Sequence, residues 1–314
     1  MVRLVFLCCF LKIVNATEEC GVILSGQEFA NSGDDRAVKA LWIAAIGKLR
    51  DTSDGYREFD VYCSGTILTR KFIVTAAHCE FKKPEYVRTG VTRIDQAYAQ
   101  DRRIEDIKIH PDHNKNDWYF DLALVKLEED LVFNGKVSAL CLPDRPYNYP
   151  VDGIAMIVQG WGEDINGDAG REVTEARISV RSKEECDHKL STAGPDFIDS
   201  VRKFLPRLTS TSTICADSTL DKQEGSCRGD SGGPAVIRLE AIDYIFPFFH
   251  TLLSNLILLK LLLLKVLYFR KFMDGFYRFF LIGVVTGNPS GCFPKTLPDV
   301  YNFVGNQKVS SKSI

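Results

Sequence analysis

The sequence predicts an all-β fold, a sandwich or a barrel, and two observations carry that expectation. From Leu41 to Val180 the apolar residues come in short runs: Leu41 to Ile46, Gly65 to Leu68, Phe72 to Val74, Leu122 to Val125 and Ala155 to Val158. Turn-forming Gly, Pro, Asp and Asn residues separate these runs. Apolar runs this short, bounded by turn formers, fit buried strands better than helices, which need a longer stretch with a helical period. The polar stretch from Ser182 to Leu190 instead suits a short surface helix. At 314 residues the chain is long enough for one large domain or two moderate ones. No internal repeat is visible.

Charge narrows the choice of partners. The 39 basic and 41 acidic residues leave a formal net charge of −2. Nucleic acids and anionic membranes select for a basic footprint, so neither is expected as the main partner. The first residues have the layout of an export signal. Arg3 gives a positive start, Leu4 to Leu11 an apolar run, and Val14-Asn15-Ala16 a small-residue cleavage site. Residues 1–16 are therefore read as a signal peptide, and the protein as secreted and extracellular. Cleavage removes Cys8 and Cys9 and leaves Cys20, Cys63, Cys79, Cys141, Cys186, Cys215, Cys227 and Cys292. An even number in an exported chain suggests disulfides. No Cys-x-x-Cys pair is present, so zinc ribbons and thioredoxin-like sites have no support, and no metal or cofactor is expected.

Residues 241–271 break the pattern. Their composition shifts to Leu, Phe, Ile and Lys. The longest stretch without a charge, Tyr244 to Leu259, is shorter than the roughly 20 residues that span a bilayer. On a helix, Lys260, Lys265 and Arg270 would be about 140° apart in succession, so they would not share a polar face. That argues against a membrane-surface helix as well. Translated non-coding sequence is one reading of residues 241–271, and a membrane-touching or partner-binding hairpin is its rival.

Three local patterns carry chemistry: Thr75-Ala76-Ala77-His78-Cys79, Asp121-Leu122-Ala123-Leu124-Val125-Lys126-Leu127 and Gly229-Asp230-Ser231-Gly232-Gly233-Pro234. Taken singly, each has a plain structural explanation: a histidine beside a cysteine, a turn aspartate before a strand, a tight glycine loop. Together, in the order His, Asp, Ser with these flanks, the sequence resembles the chymotrypsin/trypsin-like serine proteases, and among them the secreted proteases of arthropods. Gly160-Trp161-Gly162, Ile214-Cys215-Ala216 and Pro298-Asp299-Val300-Tyr301 extend the resemblance, which runs from about Ile23 to Tyr301.

The resemblance implies two six-stranded antiparallel Greek-key β-barrels, an N-terminal segment and first barrel over 17–140 and a second barrel over 141–314, interrupted at 241–271. It implies a serine endopeptidase with Ser231 as nucleophile. A serine hydroxyl is a weak nucleophile and needs a base within reach. His78 would take that proton and Asp121 would orient the imidazole, an arrangement for which this family is the general template. The N–H groups of Gly229 and Ser231 would form the oxyanion hole. The resemblance also pairs Cys63 with Cys79, Cys186 with Cys215, Cys227 with Cys292, and Cys20 with Cys141. It places Gly225, Thr286, Asn288 and Asp299 around the substrate, and Ile23 and Asp230 in activation of a zymogen. Peptide substrates, protein inhibitors and an activating protease are the implied partners.

The chain departs from the family in several places. Gly225 stands where aspartate selects Arg or Lys, while Asp299 puts a carboxylate at a pocket-wall position that is commonly glycine. That combination suggests a broad or mixed preference; a solvated turn aspartate is the alternative. Ile23 follows Val22 rather than a basic residue. Thr286-Gly287-Asn288 lacks the usual aromatic wall, and the tail from Asn302 to Ile314 lacks the usual apolar terminal helix. The rival reading is a protease-fold regulatory or binding protein with little or no activity.

Overall fold

The computed structural model describes residues 20–21, 41–53, 55–143, 152–163, 171–192, 212–218, 225–240, 277–287 and 298–304. Twelve strands form two closed barrels. The first contains β1 (Ile43–Asp51), β2 (Arg57–Ile67), β3 (Phe72–Thr75), β4 (Tyr86–Thr89), β5 (Gln100–Ile109) and β6 (Ala123–Leu127), in the order β1-β2-β3-β6-β5-β4. The second contains β7 (Ala155–Gly160), β8 (Thr174–Val180), β9 (Thr213–Ser218), β10 (Pro234–Glu240), β11 (Tyr277–Gly287) and β12 (Asp299–Phe303), in the order β10-β11-β12-β9-β8-β7. The paired strands of both barrels run antiparallel. Closure leaves neither sheet with an unpaired edge along its length.

The apolar runs in the sequence become the barrel cores. Ala44, Ile46, Ile67, Ile73, Val125 and Leu127 pack inside the first barrel. Met156, Val158, Ile178, Ile214, Ile282 and Tyr301 pack inside the second. The seam between the barrels is apolar too, because Val236, Phe279, Leu281 and Val284 of β10 and β11 join the first core. There the rings of Trp42 and Phe279 lie 5.1 Å apart, and Trp42 Nε1 donates to Gln159 Oε1 at 2.8 Å. The disulfide Cys20–Cys141 fastens the chain before β1 to the crossing between barrels.

The predicted surface helix is α1 (Lys183–Ser191), and the Ser182 hydroxyl caps it by accepting from Glu185 N at 3.1 Å. The runs around Val236 and Leu281 pair as the β10–β11 ladder from Pro234↔Val284 to Glu240↔Tyr277. Residues 241–276 therefore join two strands of one hairpin. The stretch 241–271, like the signal segment 1–16, lies outside the described residues.

Candidate active site

His78 sits in a short 3-10 helix, Ala77–Lys82, that follows β3 directly. The disulfide between Cys63 on β2 and Cys79 fixes this turn to the first barrel. Asp121 ends the loop before β6. Its carboxylate is buried, with a side-chain exposure of 2%, against 34% for His78. One oxygen, Oδ2, lies 2.7 Å from His78 Nδ1, and the other, Oδ1, accepts the His78 backbone N–H at 2.8 Å. Both carboxylate oxygens are thus committed to one residue, which fixes the ring position and gives the Nδ1 proton an acceptor.

Ser231 and His78 are half-buried, so both can be reached from solvent. The glycine loop carrying Ser231 presses against the His78 segment. Ser64 N donates to Ser231 O at 2.8 Å, and Cys79 Sγ lies 3.7 Å from the same oxygen. Gly232 has φ +85°, and a side chain there would collide with Thr75 Oγ1 and the Ser64 carbonyl. Only glycine fits at that position. Gly229 also has positive φ, +98°.

The loop's backbone donors divide into two groups. Cys227 N donates to Asp230 Oδ2 at 2.7 Å, Asp230 N to Cys227 O, Gly232 N to Val285 O and Gly233 N to Asp230 O. The N–H groups of Gly229 and Ser231 have no acceptor among the described residues. Unpaired backbone donors two residues apart are the kind of group that can bind an oxygen carrying negative charge.

Asp230 is buried against the Gly160-Trp161-Gly162 turn. Gly162 N donates to its Oδ1 at 2.8 Å, and a Cβ on Gly160 would run into the carboxylate. The glycines of that landmark therefore make room for Asp230. Ile23, its expected partner in activation, lies outside the described residues.

Asp299 opens β12 and is 3% exposed, so it is not a solvated turn residue. Its Oδ2 accepts from Ser226 N at 2.7 Å, Ser226 Oγ at 3.0 Å and Tyr301 Oη at 3.1 Å. Burial, with the Asp299 charge second, holds the Tyr301 phenol well above its ordinary pKa, so it remains a neutral donor. Gly225 precedes Ser226 directly, which brings the two expected pocket residues to one place. Thr286 is buried on β11, and Asn288 lies outside the described residues.

Two of the expected active-site disulfides, Cys63–Cys79 and Cys186–Cys215, are formed. Cys227 is also disulfide-bonded, and Cys292, its expected partner, lies outside the described residues. Cys63, His78 and Cys79 place their ligand atoms within 4.8 Å of one another, but the S–S bond uses both sulfurs, so this cluster does not make a metal site.

Sequence reasoning missed three residues at this site. Ser64 donates through Oγ to Gly229 O at 2.9 Å and accepts from Trp161 N at 2.9 Å. Trp118 lies over β11, so that a Cβ at Gly287 would sit 2.9 Å from its ring. The indole fills the space beside the strand that lacks its aromatic. Asn302, fully buried, bonds to both Asp121 and Thr286. A polar residue inside a wholly buried strand was the available signal for Asn302, since such a group must find partners.

The fold and this arrangement define a two-barrel protein with a histidine–carboxylate pair on a turn that packs against a glycine loop carrying a serine. The family model described as Trypsin matches residues 35–245, and the chain belongs to the trypsin family of serine proteases. Among curated proteins it is 28% identical over 192 residues to the serine protease Hayan of Drosophila melanogaster, covering 58% of this chain and 28% of that protein. It is 28% identical to a venom serine protease of Polistes dominula, covering 58% and 63%, and 30% identical to the venom serine protease Bi-VSP of Bombus ignitus, covering 62% and 53%. The chain thus spans less than two thirds of the length of each of these relatives. The solved structure of neuropsin, a serine protease of mouse brain, superposes with a TM-score of 0.59 over 88% of this chain and 95% of its own, at 20% identity, a likeness of fold. The family match ends at residue 245, between β10 and β11, although β11 and β12 beyond it complete the barrel.

Proposed function

We propose that the protein is an exported serine endopeptidase in which Ser231, His78 and Asp121 cleave peptide bonds through an acyl-enzyme. The observation that carries this reading is the commitment of both Asp121 oxygens to His78, beside a loop whose Gly229 and Ser231 N–H groups are left without acceptors. In this mechanism Ser231 Oγ attacks the substrate carbonyl carbon while its proton passes to His78 Nε2. Asp121 stabilises the imidazolium that results. The carbonyl oxygen, now negative, is held by the two unpaired N–H groups. His78 returns the proton to the leaving amine, and water then releases the acyl group by the same route in reverse.

The disulfides support export to an oxidising compartment. The family supports protein or peptide substrates. We further propose synthesis as a zymogen whose new amino terminus, Ile23, meets Asp230. The primary pocket is read as accepting both basic and apolar side chains. The buried Asp299 carboxylate supports this, because Ser226 and Tyr301 stabilise its charge, while Gly225 adds no charge of its own. Peptide-library profiling of the activated chain tests both claims. Cleavage after mixed residue types, abolished in Ser231→Ala, is expected. Strict cleavage after Arg or Lys would overturn the preference, and cleavage that persists in Ser231→Ala would overturn the mechanism.

A further inference from the structure

Asn302 lies on β12 of the second barrel, and its side-chain partners include the segment of the first barrel that carries the acid. Its Oδ1 accepts the Asp121 N–H at 3.2 Å. Its Nδ2 donates to the Trp118 carbonyl at 2.9 Å and to Thr286 Oγ1 at 2.5 Å. The Trp118 oxygen can only accept and the Asp121 nitrogen can only donate, so the partners fix which end of the amide is which. Two of the three bonds of this buried amide go to the approach to Asp121, and the third anchors it to Thr286 on β11.

The backbone there is strained. Phe120, between the two main-chain groups that Asn302 grips, has φ +50°, a left-handed conformation that a bulky residue seldom adopts. The turn is also tight, since Leu122 N donates to Phe120 O at 2.7 Å across Asp121. Strained backbone of this kind persists when its surroundings over-determine it. The Asn302 amide supplies that restraint by tying residues 118 and 121 to β12. Without it, the turn that carries Asp121 can relax, and the bonds of its carboxylate to His78 lose their backing from the second barrel.

We propose that Asn302 is a positioning residue: from the second barrel it holds the 118–121 turn so that Asp121 stays in register with His78. This rests on the reading of His78, Asp121 and Ser231 as a catalytic triad, and the test separates the two claims. The first readout is the low-field proton NMR signal of His78 Nδ1–H bridging to Asp121, assigned by its loss in Asp121→Asn. It requires no activity. The second is the split between kcat and KM.

Asn302→Ala is expected to broaden or abolish the bridging signal, with the other barrel resonances retained. It is expected to lower kcat about tenfold with little change in KM, the effect of losing one buried partner that acts through the acid. Asn302→Ser, which keeps one hydroxyl for Asp121 N, is expected to restore part of both, and it decides the matter if the alanine variant does not fold. A folded variant with an unchanged signal and unchanged kcat overturns the positioning role and leaves the triad standing. A wild-type chain with no Ser231-dependent turnover, whose signal still responds to Asn302, overturns the catalytic reading and leaves the positioning role standing.

Discussion

The two barrels contribute to the site in opposite ways. The first supplies His78 and Asp121 from segments flanking its own strands, which all lie between Ile43 and Leu127. The second supplies the loop of Gly229 and Ser231, and its strands are joined by longer connections, including the one between Glu240 and Tyr277. Each barrel nevertheless places a buried polar side chain on the other's contribution. Ser64 of β2 grips the glycine loop through Gly229 O, and Asn302 of β12 grips the turn carrying Asp121. Buried polar contacts at the seam therefore run in both directions between the barrels.

Deleting the Ser64 hydroxyl is the sharpest way to break this comparison. Ser64→Ala leaves the Gly229 carbonyl and the Trp161 N–H without their partner. Burying unsatisfied groups of this kind costs about 1–3 kcal/mol. A thermal melt should fall accordingly. The rate of Ser231 acylation should fall about tenfold, because the loop that presents the oxyanion donors loses its tie to β2. The bridging His78 signal should not move, since Ser64 does not touch Asp121. If that signal moved as it is expected to in the Asn302 variants, the two grips would not be separate.

A smaller effect is expected away from the seam. Asp187 on α1 has its pKa raised, first by burial and then by Glu184, and its buried Oδ1 has no hydrogen-bond partner among the described residues. A carboxylate with a raised folded pKa prefers the unfolded state when charged. Its cost is complete above the folded pKa and disappears as the pH falls below the unfolded value. Asp187→Asn should therefore raise stability by a few tenths of a kcal/mol at neutral pH. That gain should vanish in acid. Melting curves across pH check the sign, and the site should be unaffected.

Local chemistry made much of this legible in the sequence. Short apolar runs identify β1, β3, β6 and β7 because their side chains fill the cores. The motifs at His78, Asp121 and Ser231 are visible because each is compact along the chain. β5 was not legible: Gln100–Ile109 is rich in charge and exposes much of its length. It is held by its ladders to β4 and β6, and by the bidentate pair of Arg88 with Asp101 at 2.7 and 2.8 Å. Ser64, Trp118 and Asn302 escaped for a related reason. Each has a partner on the other barrel, and no local pattern encodes a contact between residues so far apart in the chain. Asp299 could be singled out by position, but its burial against Ser226 and Tyr301 depends on the closed second barrel.

Labelling with a fluorophosphonate probe tests the central claim most directly, because the probe reacts with a serine whose hydroxyl is activated by a base within reach. The activated chain is predicted to be labelled at Ser231, with no labelling in Ser231→Ala and a severe loss in His78→Ala. A correctly folded chain that stays unlabelled at Ser231 after treatment with several activating proteases would contradict the account.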